Sequence, residues 1–150
     1  MHIRRFELSD AFEVSSLIRR AVVTRDNRNY TLAQIYSFAN HCSVETIISE
    51  LDKKLTFVCV DDGKIVGTAT LKGDEISTVF ILPEYQGKGL GKKFMKMLEN
   101  EAVSKGLSKV KLFAVLSAVS FYEMLGYKSV SEEFHCEWGK GIVMEKALAN

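Results

Sequence analysis

The chain has 150 residues, a net charge of +1, and is 47% hydrophobic and 26% charged. This is ordinary globular composition; it excludes disorder, collagen or coiled coil for the chain as a whole and predicts one domain over residues 1–150 with a real core. No stretch approaches the roughly 20 apolar residues of a membrane span, and the first ten residues lack a signal-peptide core, so the expectation is a cytoplasmic protein with no membrane partner.

Residues 1–7 alternate and read as a first strand. Ser9 or Asp10 then opens a helix with Phe12, Val14, Leu17, Ile18, Ala21 and Val22 at helical spacing. Residues 24–30, TRDNRNY, are a polar break. Thr31 starts a second helix with Leu32, Ile35, Tyr36 and Ala39 inward, and residues 43–51 form a short third piece with a capping-type start. Residues 56–60 and 65–71 are strands joined by the tight-turn pair Asp62-Gly63. Residues 75–82 form the next strand, which Pro83 stops.

A loop then leads into a helix bearing Leu90, Phe94, Met97, Leu98 and Ala102 on one face, ended by Gly106. Residues 110–115 read as a buried strand, and Gly126 ends a short helix. Residues 127–137 and 142–148 are the last strands, with 139–141 as their turn. The pattern predicts an α+β (mixed α/β) domain: a mixed sheet, helices on both faces, and a central parallel β-α-β crossover.

Three cysteines, Cys42, Cys59 and Cys136, are too few and too far apart for a disulfide framework or a zinc site, so no metal is expected. Cys42 and Cys59 read as small buried hydrophobes. The balanced charge gives no general nucleic-acid surface. It is unevenly spread, however: residues 84–112 hold seven Lys against three acids, and the remainder holds thirteen basic residues against sixteen acids. The excess of +4 would draw an anionic ligand.

That excess surrounds the most informative stretch, VFILPEYQGKGLGKK from Val79 to Lys93. Gly87, Gly89 and Gly91 lie between a strand and a helix start. Glycine permits positive φ and close backbone approach. The first helical turn offers unpaired N–H groups and a partial positive charge, which suits phosphate. A Walker loop would need Gly at Gln86 and Ser or Thr at Lys93; a dinucleotide fingerprint would need Gly at Lys92. Both nucleotide motifs are incomplete, which leaves a nucleotide-triphosphate-binding protein only as a third reading.

The pattern that fits is Gln86-x-x-Gly89-x-Gly91, which resembles the pyrophosphate loop of the Gcn5-related N-acetyltransferase (GNAT) superfamily. Two further segments are similar to that family: SAVSFYEMLGY from Ser117 to Tyr127, and the closing strand 142–148. The resemblance implies a GNAT-like, mostly antiparallel sheet with acetyl-CoA (CoA after transfer) as cosubstrate. The acceptor would be an amine, on a small molecule or a protein. It assigns the pantetheine arm to the backbone of Val79, Phe80 and Ile81, and the pyrophosphate to Gln86, Gly87, Lys88, Gly89, Leu90, Gly91 and Lys92. Ser117 stands where many members carry Asn at the pantetheine. Tyr122 falls at the general-acid position.

Glu75, His135 and a water chain compete as base, and Glu137 joins them as a third side chain. The acceptor is expected between the N-terminal helices and the last hairpin, with Tyr30, Tyr36 and Trp138 as lining and Arg25, Asp26 and Arg28 as a gate. A non-catalytic acyl-CoA sensor on the same fold is the rival reading. Edge strands leave a homodimer open.

Overall fold

A computed structural model describes residues 1–149. Seven strands form one sheet in the order β1-β2-β3-β4-β5-β7-β6. They are β1 (His2–Arg5), β2 (Leu55–Asp61), β3 (Lys64–Lys72), β4 (Glu75–Ile81), β5 (Lys109–Val115), β6 (Lys128–His135) and β7 (Gly139–Ala147). The helices are α1 (Ala11–Thr24), α2 (Leu32–His41), α3 (Val44–Ser49), α4 (Leu90–Ser104) and α5 (Val119–Met124). Every neighbouring pair is antiparallel except β4–β5, which α4 joins as the expected parallel crossover.

Local signals place most of these elements. Thr31 and Gln34 form a reciprocal capping box at the start of α2, each backbone N–H donating to the other's side chain at 3.0–3.1 Å. Ser43 Oγ accepts the Thr46 amide at 3.2 Å and caps α3. Asp62 and Gly63 both have positive φ (51° and 75°), as a two-residue hairpin turn of the predicted kind requires. Asp10 acts differently from an ordinary cap. Its carboxylate accepts the Glu7 amide at 2.8 Å and both arms of the Arg4 guanidinium at 2.8 and 3.0 Å. That tie fastens α1 to β1.

The core lies between β3 and the helices over it. Residues Ile65–Leu71 of β3 are buried without a break, because α1 covers one face and α4 the other. From α1 come Val14, Leu17, Ile18 and Val22; from α4 come Phe94, Met95, Leu98 and Ala102. Phe94 is wholly buried; truncating such a ring costs about 3–5 kcal/mol. Cys42 and Cys59 are buried as predicted, and Cys136 is exposed.

Several inward assignments fail. Phe12, Leu32 and Tyr36 are exposed, and Met97 is only half-buried. Helical spacing identified the apolar stripe, but the sheet covers only its middle. β5 alternates buried and exposed residues instead of being buried throughout. The last turn is Cys136-Glu137-Trp138, and Gly139 already begins β7. Gly141 lies inside that strand beneath the Phe113 ring, where a Cβ would overlap the aromatic carbons. Edge strand β6 is exposed along nearly its whole length. Among the described residues no helix is long and apolar enough to cross a membrane.

Candidate functional site

β4 and β5 pair only at Glu75–Lys111 and Ile76–Leu112. Beyond Ile76 they part, and the rest of β4 faces a gap. A bulge re-aims the strand within that gap: Thr70 pairs with Ser77 and Thr68 with Phe80, so Thr78 and Val79 together oppose Ala69. Thr78 has φ of +48°, a strained setting for a β-branched residue that costs about 1–3 kcal/mol. The bulge takes Thr78 and Val79 out of register with β3, and Phe80 and Ile81 rejoin that ladder while their other edge faces the gap.

The chain leaves β4 through a single 3-10 turn, Pro83–Tyr85, fixed at three points. Glu84 accepts a two-armed hydrogen bond from Arg20 at 2.8 and 2.9 Å, Tyr85 donates to Asp61 at 2.8 Å, and the Gln86 side-chain amide donates to the Ile81 carbonyl at 3.1 Å. The three glycines then do different work. Gly87 and Gly89 take φ of +78° and +83°, with open space where a Cβ would stand. Gly91 is buried against the Phe121 ring, 3.0 Å from a would-be Cβ. The Gly89 carbonyl takes the Lys93 amide at 3.1 Å as the first bond of α4, which leaves the Leu90, Gly91 and Lys92 amides free for an anion. An open cradle of this kind, rimmed by Lys92, fits a pyrophosphate.

Gap and loop belong to one cavity of about 960 Å³. Its wall includes Glu75, Val79, Phe80, Ile81, Gln86, Gly87, Gly89, Gly91, Lys92, Ser117 and Tyr122. The fold therefore brings together most of the residues the sequence singled out. Tyr122, on α5, lies between the rings of Phe121 (5.1 Å) and Tyr127 (5.8 Å), and burial pushes its phenol up to about 12. Its hydroxyl makes no hydrogen bond to another described residue. Glu75 stands at the start of β4, about 13 Å of strand before Val79.

Three of the predicted residues lie off that wall. The Leu90 side chain is buried in the core, so that residue offers the cavity only its amide. Lys88 lies outside the wall, its ammonium 5.2 Å from the Tyr85 ring centre. His135 is likewise outside it. Its Nδ1 accepts the Glu137 and Trp138 amides at 3.1 and 3.3 Å, and its ring stacks on Trp138 at 3.9 Å. The imidazole thus holds the β6–β7 turn.

The far wall is made by α1, α2 and that turn. Of the aromatics expected there, Trp138 lines the cavity, but Tyr30 and Tyr36 do not. Tyr30 instead ties the polar break to the sheet: its hydroxyl donates to the Lys140 carbonyl at 2.6 Å and accepts the Leu116 amide at 3.0 Å. Sequence reading missed Phe38, whose ring lies 6.0 Å from Phe80 and 5.1 Å from Trp138. It also missed the Thr78 bulge, for which no local signal exists. Cys42 lines the cavity too, but burial pushes its thiol up to about 11, which makes it a poor nucleophile near neutrality. Among the described residues no three His, Cys, Asp or Glu side chains cluster as metal ligands.

Residues 24–148 match the family model described as an acetyltransferase (GNAT) domain. A thialysine N-epsilon-acetyltransferase of Mus musculus is 31% identical over 99 residues, which is 61% of this chain and 58% of that protein. The chain spans about half the length of the curated relatives it matches. A GCN5-related N-acetyltransferase from Rhodopseudomonas palustris superposes with a TM-score of 0.92 at 24% identity, over 98% of this chain and 95% of the other. The PaiA N-acetyltransferase of Thermoplasma acidophilum, solved in complex with coenzyme A, gives 0.84 at 21% identity, over 97% and 98%. At these identities the two structures establish the fold.

Proposed function

Because the chain belongs to the GNAT acetyltransferase family, we propose that it moves an acetyl group from acetyl-CoA to an amine by direct attack on the thioester. One observation carries the reading: β4 and β5 part at the point where a glycine loop opens the N-terminus of α4. The free edge of β4 offers Val79–Ile81 to the pantetheine arm as an added strand would be met. The loop amides and Lys92 meet the pyrophosphate, and Ser117, in the 3-10 turn Leu116–Ala118 after β5, meets the arm. The coenzyme A bound by the Thermoplasma relative supports the same cosubstrate here.

The amine nitrogen attacks the thioester carbonyl carbon, the new C–N bond forms, and the C–S bond breaks. A β4 amide near the bulge stabilises the charge that develops on the carbonyl oxygen. Tyr122 donates its proton to the departing thiolate. A phenol held near 12 stays protonated at neutral pH, as an acid must. The amine's proton leaves through water toward Glu75, since the strand distance forbids direct contact. His135 has no part in this, because its Nδ1 is occupied in the turn.

The test is thiol release from acetyl-CoA with a panel of amines, beside calorimetry with CoA. Turnover with CoA binding supports the proposal. CoA binding with no turnover on any amine selects the non-catalytic sensor. No CoA binding overturns both.

A further inference from the structure

Resting on that reading, we propose that the acceptor amine also carries a carboxylate, held by Arg25 and Trp138 across the Phe38 ring from the thioester strand. Arg25 follows the last residue of α1 and lines the cavity. Its guanidinium carbon lies 5.6 Å from the Phe38 ring centre, and its Nε donates to Asn27 Oδ1 at 3.1 Å. Asn27 is itself fixed by a 2.9 Å bond to the Val22 carbonyl. The fork is thus held in place with both terminal nitrogens unspent. Among the described residues no carboxylate forms an ion pair with it. Of the acids on the cavity wall, Asp26 is bonded to Arg28 and Glu50 to Lys54, while Glu75 stands at the start of β4 beside Lys72 and Lys111.

Arg25 is half-buried, and holding a cation there without a counter-charge costs part of its hydration. Desolvation already holds the Arg25 pKa below its usual value. The C-terminal end of α1 and the Phe38 face offset part of that cost. They leave the paired N–H donors without acceptors, and a planar two-oxygen acceptor fits that fork.

The second observation is independent. Trp138 Nε1 is buried and has no hydrogen-bond partner among the described residues. Its ring meets Phe38 edge-on at 5.1 Å and is clamped from behind by His135. A buried N–H without an acceptor is uncommon in a native structure. Two unsatisfied donors, a guanidinium and an indole, therefore adjoin one phenyl ring, and the same ring lies 6.0 Å from Phe80 on β4. A carboxylate seated on those donors leaves the amine end of a short aminoalkyl chain directed at the thioester.

The experiment compares amines that differ by one carboxylate: β-alanine with ethylamine, 4-aminobutyrate with propylamine, 6-aminohexanoate with pentylamine, and L-lysine with cadaverine. At least one acid should exceed its decarboxylated partner by roughly 10- to 100-fold in kcat/KM, mostly through KM, as expected for a charged hydrogen bond. Arg25→Gln should collapse that ratio toward one, and Trp138→Phe should lower it several-fold. Calorimetric affinity for CoA should hold in both variants.

Partners that react equally well in every pair overturn the proposal, as does a ratio that survives Arg25→Gln. Phosphoethanolamine outrunning every carboxylate also overturns it, in favour of a phosphate. If Arg25→Gln does not fold, Arg25→Lys, which keeps the charge and loses the fork, replaces it and should still reduce the ratio. If CoA binds but no amine reacts, the acetyl-transfer reading fails separately. The carboxylate pocket then stands or falls on whether N-acetyl-β-alanine binds the CoA complex more tightly than N-ethylacetamide.

Discussion

The two walls of the cavity are built by different means. The wall formed by the end of β4 and the start of α4 is made of backbone: a bulge at Thr78, two glycines at positive φ, and the open amides of a helix start. The wall formed by α1, α2 and the β6–β7 turn is made of side chains, Arg25, Phe38 and Trp138, brought together from segments a hundred residues apart. A backbone wall depends on local chain geometry and serves any ligand that presents the same diphosphate. A side-chain wall can vary without disturbing the fold, so under the proposed function it is where one acceptor would be told from another.

The largest expected effect strikes the backbone wall. Gly89→Glu puts a carboxylate into the open space at φ +83°. It should weaken CoA binding by more than about 100-fold through charge and bulk. The left-handed strain should cost only about 1–2 kcal/mol of stability. Calorimetry and thermal melting together check this, and unchanged affinity would remove the loop from the cosubstrate site. Next comes Tyr122→Phe, which should lower turnover by about 100-fold, the lower range for losing a general acid, with CoA affinity retained. Because Tyr122 keeps its proton up to about 12, the wild-type rate should show no alkaline loss from this group through pH 10. A decline near pH 9 that vanishes in the Phe variant would contradict that assignment.

The contrast between the walls also explains what the sequence revealed. Gln86-x-x-Gly89-x-Gly91 was legible because all its determinants lie within six residues and glycine has few reasons to recur there. Strand and helix order was legible from period, caps and the Asp62-Gly63 turn. Phe12, Leu32 and Tyr36 misled because periodicity reports that a helix has an apolar stripe, while the sheet's extent decides how much of it is covered. Gly139 and Gly141 read as a turn because glycine signals turns, yet Gly141 is needed where Phe113 lies flat on β7. Within the Arg25–Phe38–Trp138 grouping, Phe38 has no local signature. The sequence puts Arg25 and Trp138 at the acceptor side as gate and lining, but Phe38, the ring that joins them, is found only by tertiary packing.

A third substitution separates roles within the glycine loop. Gly91→Ala places a Cβ 3.0 Å from the Phe121 ring and 3.3 Å from Ile81. Phe121 must give by a few tenths of an ångström, and Tyr122 moves with it. Turnover should fall several-fold while CoA affinity changes by less than about threefold. Gly87→Ala meets nothing within 4 Å and should show mainly the strain of its positive φ, about 1–2 kcal/mol by thermal melting. The reverse pattern, with Gly87→Ala damaging turnover more than Gly91→Ala, would mean that Gly91 is an open cradle residue like its neighbours.

The smallest effect tests the anchoring of the side-chain wall. α1 carries Arg25 at one end and is fastened at the other by Asp10, which is almost fully buried and accepts bonds from Arg4 and the Glu7 amide. The Arg4 hydrogen bond holds the Asp10 carboxyl below the usual carboxylate range, with the Glu7 amide and the Arg4 charge adding to it against desolvation. A depressed folded pKa gives stability that is complete above the unfolded value of about 4 and fades as pH falls through the folded value. Asp10→Asn should therefore cost about 1–2 kcal/mol at pH 7, a figure discounted for the partial exposure of Arg4. The gap between wild type and variant should narrow on acidification below pH 4 in thermal melts. CoA affinity should be unmoved, because the backbone wall does not lean on β1. A gap that stayed constant down to pH 2 would show that Asn at position 10 acts through packing and not through the lost charge.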